Sequence, residues 1–460
     1  MVRKHKDNGS RKFGAPLYCA AWPAGGYAIV GGGGGKRSSG IPNRAVVLKV
    51  ENGSLADTEQ GDMHMNELTP FNMALHPEGH TLVVGVGSAG LKVLDIIQQA
   101  TEQPSLSFAP ESEAQQEVLH SFGDAKGLTF SRDGKLLAVG VVDAVHIHEW
   151  PSLLHRASIR YAMHAVPAVP QLHSCQQAMG CIATQLILCC RKEKHALTDA
   201  VRDIDFSRGH ANNAVHMQLA SCACQPPQSH TAWHASSYLP MHILISYMIN
   251  ACLAQVIAVA CEDGTCSLWL WAQAVCVDSL QLPPELSGGA FKACRFARNA
   301  QKGLFTVVNH QGSGHILYWQ QNDLGEMTLM RQTKANSFAA PITAFDISAR
   351  GNFLGTGTSE GDVATFSADD LRPLQRVKGA HMVFTTALVF SQDEQSLLTV
   401  SADASALATR VFKMPTSPSF QLYFILAVIA CILAVVCAFT LSNGVMAKPS
   451  VVLSQQGGNL

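Results

Sequence analysis

The first residues with a pattern that could carry chemistry are five glycines followed by a basic pair and a proline: Gly31-Gly32-Gly33-Gly34-Gly35-Lys36-Arg37-Ser38-Ser39-Gly40-Ile41-Pro42-Asn43-Arg44. A phosphate-binding loop of the G-x-x-x-x-G-K-[ST] type needs Gly where Val30 stands and Ser or Thr where Arg37 stands. A dinucleotide fingerprint needs Gly where Lys36 stands and a helix after it, whereas AVVLKV is a strand. The bland alternative is a flexible hairpin loop. Against it, five glycines are costly to order and a stiff Ile-Pro-Asn follows them. Glycines without Cβ can turn carbonyl oxygens around a hard cation while proline fixes the tip. A shaped, projecting loop is expected.

Other reactive residues point nowhere as clear. Cys222, Cys224, His230 and His234 imitate a zinc site, but their second gap is too short for zinc-finger spacing. The 14 cysteines are scattered along a long chain without a signal peptide, which favours reduced thiols in a cytosolic domain. No Ser-His-Asp order, metal-hydrolase helix motif or paired-carboxylate signal stands out. Lys and Arg total 33 against 34 Asp and Glu, so no global positive field draws the chain to nucleic acid. Arg3, Lys4, Lys6, Arg11 and Lys12 form a local basic start, read as a solvated tail.

The elements that must carry the loop repeat along the chain. The clearest copy is Gly127 to Trp150, GLTFSRDGKLLAVGVVDAVHIHEW, whose Asp133-Gly134 turn joins two apolar strands. Related copies begin at Phe71, Phe291, Ile342 and Thr386, and Pro16 to Val50 supplies the first. One copy is split: VRDIDFSRG at Val201 is its opening and QVIAVACEDGTCSLWLW at Gln255 its continuation. The count is about seven, and blades bury their faces only against neighbours. An all-β, seven-bladed WD-repeat β-propeller over residues 1–415 is therefore expected. Residues 161–191 and 210–254 lack the period-two pattern and read as irregular insertions, either loops or translated intron.

Residues 420–441, FQLYFILAVIACILAVVCAFTL, carry no charge and match the length of a single C-terminal transmembrane helix. Arg410 and Lys413 precede it and only Lys448 follows, which places the propeller in the cytosol and a short tail, 442–460, in the lumen. The glycosylation triplets at Asn8 and Asn52 would then go unused.

APLYCAAW, the glycine run, and GIPNR followed by VVLKV resemble the endoplasmic-reticulum exchange factors that activate the Sar-type GTPase of the COPII coat. That family includes the prolactin regulatory element-binding protein of animals and the phosphate transporter traffic facilitator of plants. The resemblance spans the blades and the anchor but not the two patternless stretches. It implies a potassium ion shaped by Gly31, Gly32, Gly33, Gly34 and Gly35. It also implies contact with a Sar-type small GTPase through Ile41, Pro42 and Asn43, with Asn43 central to exchange at the endoplasmic reticulum membrane. Lys36-Arg37 departs from the family, where small or acidic residues are expected. Such a factor needs no general base; it binds the nucleotide-free GTPase more tightly than the GDP form. The rival expectation is a membrane-anchored scaffold for trafficking that keeps the fold without exchange.

Overall fold

Short aliphatic and β-branched segments become strands because polar turns reverse the chain every few residues. At the turn 131–135 the Asp133 carboxylate accepts from Ser131 Oγ at 2.7 Å and the Lys135 amide at 3.2 Å. The same device recurs at 391–395, where Asp393 accepts from Ser391 Oγ at 2.5 Å and the Gln395 amide at 3.0 Å. The side chain thus fixes a turn that the flanking apolar residues alone would leave open.

The computed structural model describes residues 10–51, 53–97, 104–160, 201–207, 256–298, 303–322, 326–333, 340–411, 428–430 and 432–435. The chain divides into two units, Met1–Phe412 and Lys413–Leu460. Within the first unit the described residues form seven four-stranded antiparallel sheets, the blades of a propeller. Blade 1 consists of β2 (Leu17–Ala21), β3 (Tyr27–Gly32), β4 (Arg44–Glu51) and β5 (Ser54–His64), preceded in the chain by β1 (Arg11–Lys12). Blades 2, 3, 5 and 6 occupy residues 72–108, 127–160, 290–332 and 342–377, and blade 7 is built from Thr385–Phe390, Ser396–Ser401, Ser405–Arg410 and β1. Blade 4 joins Val201–Phe206 to Val256–Cys261, Cys266–Leu270 and Val275–Ser279, so the two halves of the split repeat pair antiparallel, with one register shift between Val201 and Asp203.

Second strands such as Val256–Cys261, Phe353–Thr358 and Ser396–Ser401 are buried along their whole length. Their two faces pack on the preceding and the following blade, which is why they read as continuous apolar or small-residue runs rather than alternating ones. Seven apolar cores result, one at each seam between neighbouring blades. The seam of blades 7 and 1, built on Phe13, Leu17, Trp22, Leu48, Leu398 and Val400, closes the ring.

Closure corrects the reading of the basic start as a solvated tail. Arg11 and Lys12 form β1, the outermost strand of blade 7, pairing with Ala406 and Ser405 of Ser405–Arg410. Arg11 then bonds the Ala56 carbonyl at 2.8 Å and Glu59 at 3.2 Å on β5, and Lys12 pairs with Asp403 at 3.3 Å. A two-residue basic strand carries no hydrophobic period, so only the unfilled edge of the last blade calls for it. Arg3, Lys4 and Lys6 lie outside the described residues.

In the second unit, of the apolar span 420–441 only 428–430 and 432–435 are described. They are helical and expose Val428, Ile429, Ile432, Leu433 and Val435. No helix among the described residues is long and apolar enough to cross a membrane. The stretches 161–191 and 210–254, the Cys222-His234 cluster and the tail 442–460 also lie outside the described residues.

Candidate functional site

The glycine run is divided between strand and loop. Gly31 and Gly32 belong to β3, facing Ala45 and Arg44 of β4 and Cys19 and Leu17 of β2. The loop proper is 33–43, and the Gly33 amide ties its start to the Pro16 carbonyl at 2.9 Å. Asn43 anchors the other end. It is 3% exposed, so it is a buried strut rather than a surface residue. Its Nδ2 donates to the Gly35 and Asn66 carbonyls at 2.8 and 2.9 Å. Its Oδ1 accepts from the Gly35 amide at 3.1 Å and the Thr69 hydroxyl at 3.0 Å. Two carbonyls on one side and two donors on the other fix the orientation of the amide group. The Asn43 carbonyl accepts from the Met65 amide at 2.9 Å, which completes the clamp.

Glycine is required where the loop meets this strut. A Cβ on Gly33 would overlap Asn43 Oδ1 and lie 2.6 Å from Asn43 Cα. Gly35 has φ +84°, a left-handed conformation that costs an L side chain energy. Beyond Gly35 the chain makes a single 3₁₀ turn, Arg37–Ser39, closed by the Ser39 amide on the Lys36 carbonyl at 2.9 Å. The Ser39 hydroxyl accepts from the Ile41 amide at 3.2 Å. Ile41 and Pro42 are then exposed, Ile41 to 36%. Of the three residues expected to meet a partner, two stand at the surface and the third holds them there.

The base of the loop is braced from β5. Arg44 Nη2 meets Glu59 at 2.6 Å and its Nε meets Asp62 at 2.9 Å; Glu59 also holds Arg11. Burial opposes the Arg44 charge, but Asp62 and Glu59 outweigh it and raise its pKa above the ordinary value. The strand that closes the ring and the strand that returns from the loop therefore share one carboxylate.

Within the glycine run, Gly31 and Gly32 pair in the sheet, Gly33 and Gly34 open the loop, and the Gly35 carbonyl accepts from Asn43. Among the described residues no group of three or more His, Cys, Asp or Glu could hold a metal ion.

Antiparallel order puts the connection between a blade's second and third strands on the same edge as the connection to the next blade. The glycine loop thus shares its face with 65–71 and 378–384, the entries to blades 2 and 7. Phe71 is 45% exposed and stacks at 5.4 Å on Tyr18, while Met382, Val383 and Phe384 are exposed to 67%, 39% and 45%. With Ile41 they set an arc of exposed apolar side chains on that face over three consecutive blades.

A buried polar network sets the blade 7 part of the arc. His381 Nδ1 lies 2.6 Å from Ser405 Oγ and its Nε2 2.9 Å from Thr399 Oγ1. Asp403 accepts from Ser405 Oγ and from the Met382 amide, the latter at 2.6 Å. Burial lowers the His381 pKa to about 4, leaving a neutral imidazole. Sequence reading missed Asn66, Thr69, His381 and Met382–Phe384. Their only signals were turn chemistry in NELTP and a Gly-Ala-His before a strand.

No known family profile matches the chain. It is 23% identical over 391 residues to SEC12-like protein 2 of Arabidopsis thaliana, covering 83% of this chain and 76% of the relative. Taken with the closed ring of seven blades, that likeness fits a WD-repeat protein of the Sec12 and prolactin-regulatory-element-binding family.

Proposed function

We propose that the protein is a guanine-nucleotide exchange factor that promotes GDP release from a Sar-type small GTPase at the endoplasmic reticulum, the step that starts COPII coat assembly. The observation that supports it most is the loop built on Asn43. An amide with four hydrogen bonds holds an exposed Ile41-Pro42 tip in a fixed place. A loop ordered before contact spends little binding energy on ordering, so more is left to favour the nucleotide-free partner. Ile41 and Pro42 press on the GTPase, Asn43 positions them, and the arc from Phe71 to Phe384 provides the apolar surface beside them. The uncharged run 420–441 supports membrane attachment.

The departure at Lys36-Arg37 favours one second reading, a membrane-anchored scaffold that binds without exchange. Capture of a Sar-type GTPase by the immobilised full chain separates the two. An exchange factor retains the nucleotide-free form at least about tenfold better than the GDP form. Equal retention of both forms leaves only the scaffold.

A further inference from the structure

Lys36 and Arg37 stand three and two positions before Ser39. We propose that Ser39 is a phosphorylation site for a basophilic protein kinase, and that phosphorylation there switches off the contact made by Ile41 and Pro42. The proposal rests on the exchange reading for its second half only.

Cations placed shortly before a serine are what a kinase with carboxylates around its peptide groove selects. The tip offers that sequence in accessible form. Lys36, Ser38, Ser39, Gly40, Ile41 and Pro42 are all exposed. Among the described residues the Ser39 hydroxyl is engaged only with the Ile41 backbone, its amide at 3.2 Å and its carbonyl at 3.5 Å. Gly35 and Gly40, at φ +84° and +70°, bracket the segment and let it extend into a groove. The Asn43 clamp lies outside that segment, so the blade stays intact while the tip is read.

The reaction is a phosphoryl transfer from a nucleoside triphosphate. Ser39 Oγ bonds to the γ-phosphorus, the bond from that phosphorus to the diphosphate leaving group breaks, and the hydroxyl proton passes to the kinase's catalytic carboxylate. The product carries about −1.5 to −2 charge at neutral pH, two residues from Ile41. Burying Ile41 and Pro42 against an apolar surface then requires desolvating a dianion or driving the tip away.

The test treats the full chain with a cyclic-nucleotide-dependent basophilic kinase and a magnesium nucleoside triphosphate, then reads intact mass, peptide position and GDP release. The expected result is a gain of about 80 Da on the 33–43 peptide. It is absent in Ser39→Ala, at least about tenfold slower in Arg37→Ala, and GDP release by the modified protein falls by about tenfold or more. No phosphate at Ser39 while a control peptide is modified overturns the proposal. Phosphate at Ser39 with undiminished exchange overturns the switch. If the unmodified chain already fails to release GDP, it is the exchange reading that falls, while the modification is decided by mass alone.

Discussion

Asn43 does two things that are hard to separate by inspection: it terminates the loop that carries the candidate contact, and it pairs with four polar groups, of which the Thr69 hydroxyl is buried. Removing the side chain releases the Gly35 and Asn66 carbonyls to water and leaves the buried Thr69 hydroxyl without this acceptor, a loss of about 1–3 kcal/mol for that group. Asn43→Asp is the sharper probe. It keeps size and the acceptor oxygen but loses the two donations. Its expected outcome is faster amide hydrogen exchange in 33–43, with the remainder of blade 1 protected as before. Unchanged protection would mean that the strut does not order the loop.

His381 gives a prediction with a definite sign. Its pKa is near 4 in the fold because burial disfavours the imidazolium, against about 6.5 when unfolded. Between those values the unfolded chain binds the extra proton, so the contribution is fully present above about pH 6.5 and is lost as pH falls through about 4. The loss amounts to on the order of 3 kcal/mol when complete. Asp403 stays ionised over most of this window: burial pushes its pKa up, but the Ser405 hydroxyl and Met382 amide outweigh that, and Lys12 adds to it. Melting at pH 7 and pH 5 should therefore separate by more in the wild type than in His381→Gln. Equal separation in the two would remove His381 from the acid response.

Among the elements, β1 and the loop differ most from what their sequences suggest. An asparagine after proline reads as an exposed turn residue, and its burial is decided by 65–70, which packs on it from the next connection. Arg11-Lys12 reads as tail because a strand of two cations has no period to detect; only its role as the fourth strand of blade 7 explains it. The blades themselves were legible because two-sided burial leaves apolar runs between polar turns. Deleting residues 1–13 takes away β1, Phe13 from the closing seam and the Arg11-Glu59 bridge. The expected outcome is a loss of about 2–4 kcal/mol in chemical denaturation, most of it from burying Phe13 and leaving a bare edge. A full-stability truncation would show that the ring is closed by other means.

For the whole molecule, the seven seams make stability a property of the ring rather than of any one blade. The interruption in blade 4 tests this. Val201–Phe206 and Val256–Cys261 pair antiparallel, and the Ser207 amide reaches the Val256 carbonyl at 2.9 Å, so the chain ends on either side of 208–255 are adjacent. A short Gly-containing hairpin turn in place of 208–255 should leave melting and GTPase binding unchanged. An insoluble product, or one that no longer binds, would place that stretch within the working fold.

The same ring sets the glycine loop and the arc from Phe71 to Phe384 on one face, and that arrangement supports the proposed exchange. Its most direct measurement is release of fluorescent GDP from a Sar-type GTPase by the full chain and by Ile41→Asp, an exposed position whose change should leave melting untouched. The account predicts that the wild type accelerates release by at least about tenfold and that Ile41→Asp returns it close to the unassisted rate. No acceleration by the wild type, or equal acceleration by the variant, would contradict it.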